Sequence, residues 1–277
     1  MNDPEHAPDT LTPDSRVAGR FSMTGRRALV TGGSVSIGRA IAIALAEAGA
    51  DIALHYARAA DDAGGLPSAA AERAAAGTAL GRRAALVEAD FETRGAAGQA
   101  LREASEALGG IDILVVCASI QYRTAFEAIT PEQVERQWRI NFAATVELMQ
   151  AAMPPMRERG WGRVLTIGSI NETRPEIELA VYAALKSAQH NLAINLARQY
   201  AAHGVTVNNL SPGLIATERN RWRRLNQDSW TDIQRRANPM GRAGTPDEIA
   251  GGALLLCSEA GRFITGADLQ IDGGHHL

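Results

Sequence analysis

Short apolar runs alternate with helically periodic segments along most of the chain. Residues 27–31 (RALVT) read as a strand and run directly towards Ile37, Ile41, Leu45 and Ala48. Apolar residues at that spacing predict a helix over 37–48. Further strands are predicted at 52–56, 84–89, 111–116, 162–167 and 205–210, with a last one at 269–271. Most are continuously apolar rather than alternating, as parallel strands buried on both faces should be. Two helix starts are marked by Thr130-Pro131-Glu132-Gln133 and Thr245-Pro246-Asp247-Glu248. Each puts Thr at the N-cap, Pro at the first helical position and Gln or Glu at the third. The alternation predicts one α/β domain, a Rossmann-like doubly wound parallel sheet with helices on both faces.

The acidic, Pro-rich start (MNDPEHAPDTLTPDS) predicts a flexible arm over 1–22, leaving 23–277 as a single domain. No repeat or internal linker interrupts it. The Ala-rich stretch 57–81 exceeds the length of a βα connection and predicts a helix with a surface insertion around Gly64-Gly65-Leu66-Pro67.

Composition narrows the function classes. A net charge of -3 gives no electrostatic reason to expect nucleic acid or an anionic membrane surface. No apolar run of membrane-spanning length exists, and the N-terminus lacks the basic and apolar parts of a secretory signal. A cytoplasmic protein is expected. Two cysteines, Cys117 and Cys257, cannot build a disulfide framework, and no Cys/His spacing suggests zinc. Reduced thiols and no metal are expected.

The first strand runs into Thr31-Gly32-Gly33-Ser34-Val35-Ser36-Ile37-Gly38, and a helix follows at once. Glycines let the backbone approach a pyrophosphate, and the helix N-terminus offers unpaired N–H groups. Between strand and helix this turn points to a dinucleotide, although a merely tight turn would also use glycine. At the end of the second strand, an NAD site usually carries an acid for the ribose 2′-OH. The chain instead has His55-Tyr56-Ala57-Arg58. Arg58, helped by Arg39, is expected to pair with a 2′-phosphate, which favours NADP(H) over NAD(H). The other reading makes both arginines solvated surface residues.

Tyr182-Ala183-Ala184-Leu185-Lys186 opens a predicted helix, and positions i and i+4 share a face. A phenol in water ionises near pH 10, so phenolate chemistry near neutrality needs a neighbouring cation. Ser169 stands thirteen positions before the tyrosine, at the carboxyl end of the strand 162–167. Such strand ends are where these sheets hold ligands.

From about residue 24 onwards the chain resembles the short-chain dehydrogenase/reductase superfamily, in its compact single-domain branch. The resemblance is carried by the turn 31–38, Asp90, Asn141, Ser169, Tyr182 with Lys186, Pro212-Gly213 and Asp272-Gly273-Gly274. It implies an NAD(P)-dependent oxidoreductase that interconverts a carbonyl and a secondary alcohol. Tyr182 would be the general acid or base, and Lys186 would stabilise its phenolate and hold the nicotinamide ribose. Ser169 would bind the substrate oxygen, and Asn141 would hold a water linking the lysine to solvent. Implied cofactor contacts are Gly32, Ser34, Ser36, Ile37 and Gly38 in the turn, Tyr56 and Arg58, and Asp90 with Phe91. Ala118, Ser119, Pro212, Gly213, Ile215 and Thr217 complete them, with Tyr182 and Lys186. A homotetramer is implied, with the C-terminal tail at an interface and His275 and His276 interfacial or exposed rather than metal-binding.

Two positions depart from the family pattern. Ser36 stands where glycine is usual and would be strained at positive φ. Cys117 stands in place of an amide that bridges neighbouring strands. Reduction of a ketone, aldehyde or sugar by NADPH is the expected activity, and 3-oxoacyl-carrier-protein reduction is a distinct alternative. For the latter, the basic run 219–224 (RNRWRR) in the substrate lid would meet an acidic carrier; a solvated helix face is the other reading. Trp222 and Trp230 either close over an apolar substrate or pack as core. Gln121, Asn171, Glu172 and Arg174 flank the expected centre and suggest a polar substrate. A dinucleotide-binding sensor without turnover is the reading from another class.

Overall fold

A computed structural model of the protein describes residues 13–58 and 81–277, so the expected insertion around 64–67 lies outside the described residues. Seven strands form one sheet: β1 (Arg27–Val30), β2 (Asp51–Tyr56), β3 (Ala84–Glu88), β4 (Ile113–Val116), β5 (Gly162–Ile167), β6 (Val205–Pro212) and β7 (Asp268–Ile271). Their order is β3-β2-β1-β4-β5-β6-β7, and every pairing is parallel. Strand order reverses between β1 and β4, which opens a crevice at their carboxyl ends. All four residues of β4, an unbroken apolar run, are buried, and so are all of β5 and β6, where Arg163, Thr166, Thr206, Asn208, Asn209 and Ser211 are buried polar residues.

Among the described residues the helices are α1 (Pro13–Phe21), α2 (Ser36–Glu47), α3 (Ala96–Leu108), α4 (Pro131–Trp138), α5 (Ala144–Arg159), α6 (Ala180–Tyr200), α7 (Gln227–Ala237) and α8 (Pro246–Cys257). Ile41 and Leu45 of α2 and Ile249 and Ala253 of α8 pack on one face of the sheet. Leu101 of α3, Leu148 and Met149 of α5 and Ala193 of α6 pack on the other. Both predicted capping boxes form, at Thr130 with Gln133 and at Thr245 with Glu248.

The segment expected to be a flexible arm contains α1, which contacts the turn at Glu259–Gly261. Pro13 opens that helix, the one place where proline suits it. No described helix is long and apolar enough to cross a membrane.

Candidate active site

The glycine turn sits at the crevice with Gly32 at φ +61 and Ser36 at φ +49. The latter is the strain foreseen for a residue with a Cβ. A Cβ added to Gly38 would lie 2.2 Å from the Gly32 carbonyl oxygen, so turn and helix meet backbone to backbone. Val35, the N-cap of α2, provides no side-chain cap. A helix start that lacks a side-chain cap suits a pyrophosphate, and the cradle fits a dinucleotide.

His55, which the sequence does not mark as a site residue, supports this turn. Its Nδ1 accepts the Gly32 N–H at 3.2 Å, and its Nε2 lies 3.0 Å from the Ala89 carbonyl. Those contacts require Nε2 to carry the proton. Burial pushes the imidazole down to about 4, so the ring is neutral near pH 7. The Phe91 side chain, expected among the cofactor contacts, is buried and stacks on His55 with ring centroids 4.0 Å apart. Across the crevice, Thr31 Oγ1 accepts the N–H groups of Cys117 and Ala118 at 2.9 and 3.1 Å. Thr31 therefore ties β1 to the segment after β4, despite the cysteine in place of an amide.

At the other end of the crevice, Arg58 is not an open cation. It donates to Glu88 at 3.0 and 2.5 Å, and the Tyr56 hydroxyl donates to the same carboxylate at 3.0 Å. The cause is register: Tyr56 on β2 stands directly beside Glu88 on β3, a neighbour that the strand's own sequence does not show. Glu88, Asp90 and Thr93 line one cleft there, and Asp90 is exposed.

The four residues read as catalytic come from three places. Ser169 follows β5, Tyr182 and Lys186 share one face of α6, and Asn141 lies in a π-helical turn, Arg139–Ala143, between α4 and α5. That wider turn is a feature often found at functional sites. All four are buried, Asn141 at 0 % and Lys186 at 1 % exposure. Asn141 Oδ1 accepts the Ile120 N–H and its Nδ2 donates to the Ile120 carbonyl, each at 2.8 Å. The Lys186 ammonium lies 5.9 Å from the Tyr182 ring centre. It donates to the Ile167 carbonyl at 2.6 Å and to Gln189 Oε1 at 3.0 Å. Gln189 Nε2 in turn donates to Thr145 Oγ1, whose hydroxyl donates to the Asn141 carbonyl. Gln189 belongs to no motif in the sequence, and its spacing from Lys186 on the helix is the one signal that points to it.

Residues 217–224 are tied to other parts of the chain at several points. Ser36 Oγ donates to Glu218 at 2.5 Å, and this bond is the main reason the glutamate's pKa falls below its usual value. Arg219 donates to the carbonyl and hydroxyl of Ser119, so Ser119 is engaged by the chain itself. Arg224 donates to the Thr217 carbonyl. Ile215 forms a bridge to Gly244, and a Cβ on Gly213 would press on Asp272 at 2.7 Å. Trp230 is core at 7 % exposure, whereas Trp222 is 59 % exposed. Arg174, expected beside the substrate, donates to the carbonyls of His275 and Leu277, and His276 contacts Asp272. Glu172 meets His190 at 2.9 Å, and burial pushes its carboxyl up. Ser34 follows β1, Ala118 follows β4, Ile37 lies in the first turn of α2 and Pro212 ends β6.

Residues 32–276 match a family model described as Enoyl-(Acyl carrier protein) reductase. An L-rhamnose 1-dehydrogenase (NAD(P)(+)) from Sphingomonas sp. (strain SKA58) is 33% identical, over 92% of this chain and 98% of that one. An acetoacetyl-CoA reductase from Allochromatium vinosum is 34% identical, over 90% and 98%. Among solved structures, a 3-oxoacyl (acyl-carrier-protein) reductase from Agrobacterium tumefaciens C58 with NADP bound superposes with a TM-score of 0.88. It is 40% identical and covers 95% of this chain and 98% of its own.

Proposed function

The chain belongs to the short-chain dehydrogenase/reductase family, and on that premise we propose an NADPH-dependent reductase of a polar ketone or aldehyde. The coarser statement stands without proposal: it is an NAD(P)-dependent oxidoreductase that interconverts carbonyl and alcohol groups. The observation that carries the finer reading is the buried set Ser169, Tyr182, Lys186 and Asn141, with Ser169 just beyond the carboxyl end of β5.

The cofactor, when bound, supplies the hydride. Gly32, Ser34, Ser36, Ile37 and Gly38 would hold its pyrophosphate, while Tyr56, Arg58 and Asp90 would bind its adenosine end. Ala118, Ser119, Pro212, Gly213, Ile215 and Thr217 line the path to the catalytic group. Tyr182 Oη gives its proton to the substrate oxygen as the alcohol forms. Lys186, a buried ammonium, favours the phenolate left behind. Ser169 Oγ donates a hydrogen bond to the same oxygen, where negative charge develops. Lys186 then passes a proton to the Tyr182 phenolate, and a water beside the turn of Asn141, whose side chain is locked to Ile120 by two hydrogen bonds, would return a proton from solvent to the lysine. Support for NADPH is Arg58 at the end of β2, with no carboxylate on that strand end. A cytoplasmic homotetramer is part of the same reading.

A 3-oxoacyl-carrier-protein reductase is the second reading, favoured by the likeness to a solved reductase of that name. Against it, Arg219, Arg223 and Arg224 of the basic run are already bonded within the chain.

The test is a fluorescence titration with NADPH and NADH, followed by turnover of L-rhamnose, acetoacetyl-CoA and a 3-oxoacyl carrier protein. At least tenfold tighter NADPH, about 1.4 kcal/mol, supports the cofactor choice. Tyr182→Phe should abolish turnover and keep NADPH affinity; unchanged turnover sinks the catalytic reading.

A further inference from the structure

Ser169 is held by its own loop through bonds of defined polarity. Its backbone N–H donates to Glu172 Oε1 at 2.9 Å. Its hydroxyl oxygen receives two donors from one residue, the backbone N–H and the side-chain Nδ2 of Asn171, both at 3.2 Å. Ser169 is 8% exposed and Asn171 7%, so both bonds lie out of bulk water. The amide's orientation is set by a third bond. Asn171 Oδ1 accepts the backbone N–H of Glu176 at 2.8 Å, which leaves Nδ2 to face the serine. A hydroxyl has two acceptor sites and one hydrogen. With both acceptor sites occupied, the Ser169 hydrogen remains for another group.

We propose that Asn171 is a positioning residue that commits the Ser169 hydroxyl to donate to the substrate oxygen. This rests on the reading of Ser169 as the group that touches that oxygen. Negative charge grows on a carbonyl oxygen during reduction, and only a donor stabilises it. A serine whose lone pairs were open could turn to accept a proton instead, and would then face the oxygen with the wrong polarity. The single turn Ile170–Glu172 brings Asn171 back onto the serine, so two adjacent loop positions set the direction of one proton.

The test compares Asn171→Ala with Asn171→Asp, using NADPH oxidation with whichever compound of the panel above turns over fastest. Aspartate keeps the shape and keeps an oxygen for the Glu176 N–H, but presents an acceptor to Ser169 and draws its hydrogen away. Measured on the pH-independent plateau, kcat should fall about tenfold in the alanine variant and at least as far in the aspartate variant. The melting temperature of Asn171→Asp should fall, because its carboxylate lies out of bulk water, but at an assay temperature where the variant is fully folded its NADPH dissociation constant by fluorescence should match the parent's within about twofold. A residue that only braces the loop gives the reverse order: aspartate near parental kcat, alanine slow and less stable. That order overturns the proposal, as does parental kcat in both variants. Ser169→Ala is assayed alongside. Unchanged kcat there removes the role of Ser169 and the proposal with it, whereas a slow Ser169→Ala leaves the two Asn171 variants to decide the role of Asn171.

Discussion

Gln189 Oε1 accepts a hydrogen bond from the buried Lys186 ammonium at 3.0 Å. The glutamine lies at 1% exposure, three positions along the same helix face. Its own Nε2 is committed to Thr145, so the amide cannot flip without breaking two bonds. Gln189→Leu leaves a buried cation with one bond fewer and Thr145 without its donor. We expect a stability loss of about 1–3 kcal/mol in urea unfolding, and a shifted pH profile of kcat. An unchanged profile would mean that Gln189 braces the core without acting on the lysine.

His55 should make stability depend on pH. Its folded-state pKa, about 4, lies below the ordinary histidine value of 6.5. The unfolded chain therefore binds the proton first. The contribution is fully present above pH 6.5 and is lost as pH falls from there towards 4. Its full size is about 3 kcal/mol. Urea unfolding at pH 7 and pH 4.5 checks this, and His55→Gln should remove most of the difference attributable to this residue.

Glu218 brings a carboxylate to the phosphate turn through Ser36. Its pKa is lowered, chiefly by that hydrogen bond, so it is ionised at neutral pH. A negative charge there opposes the cofactor's pyrophosphate. Glu218→Gln should tighten NADPH by about three- to tenfold at low salt, with the gain shrinking as salt rises. Equal affinity in variant and parent at low salt would remove the electrostatic argument.

Glu88 competes for Arg58 and sets how much of that arginine is available. Glu88→Gln should tighten NADPH several-fold and leave NADH unchanged. Arg58→Ala should weaken NADPH alone. Parallel changes for both cofactors would place the effect on the fold of β3 rather than on a 2′-phosphate.

Much of the site was legible because it is local. Tyr182 and Lys186 share a face through the helical period, and Ser169 follows an apolar strand whose end could be read directly. The glycine turn announced itself by composition between a strand and a helix. His55 and Gln189 were not found, since one reads as a polar residue in a strand and the other as one of many on a helix. Only their neighbours make them part of the site. Ser36 stands out as a departure from the family pattern, but its partner Glu218 is 182 positions away.

Periodicity and turn chemistry, which act between residues a few positions apart, determined the alternating strands and helices, the doubly wound class and the shared helix face of Tyr182 and Lys186. Tertiary structure alone decided that Arg58 is shared with Glu88, that His55 is a neutral support of the glycine turn, and that the Asn171 amide donates to the Ser169 hydroxyl. The first two depend on strand register and the third on how a short loop folds back. Hydrogen-bond direction is set by which groups meet in space, and burial sets which protonation state they keep.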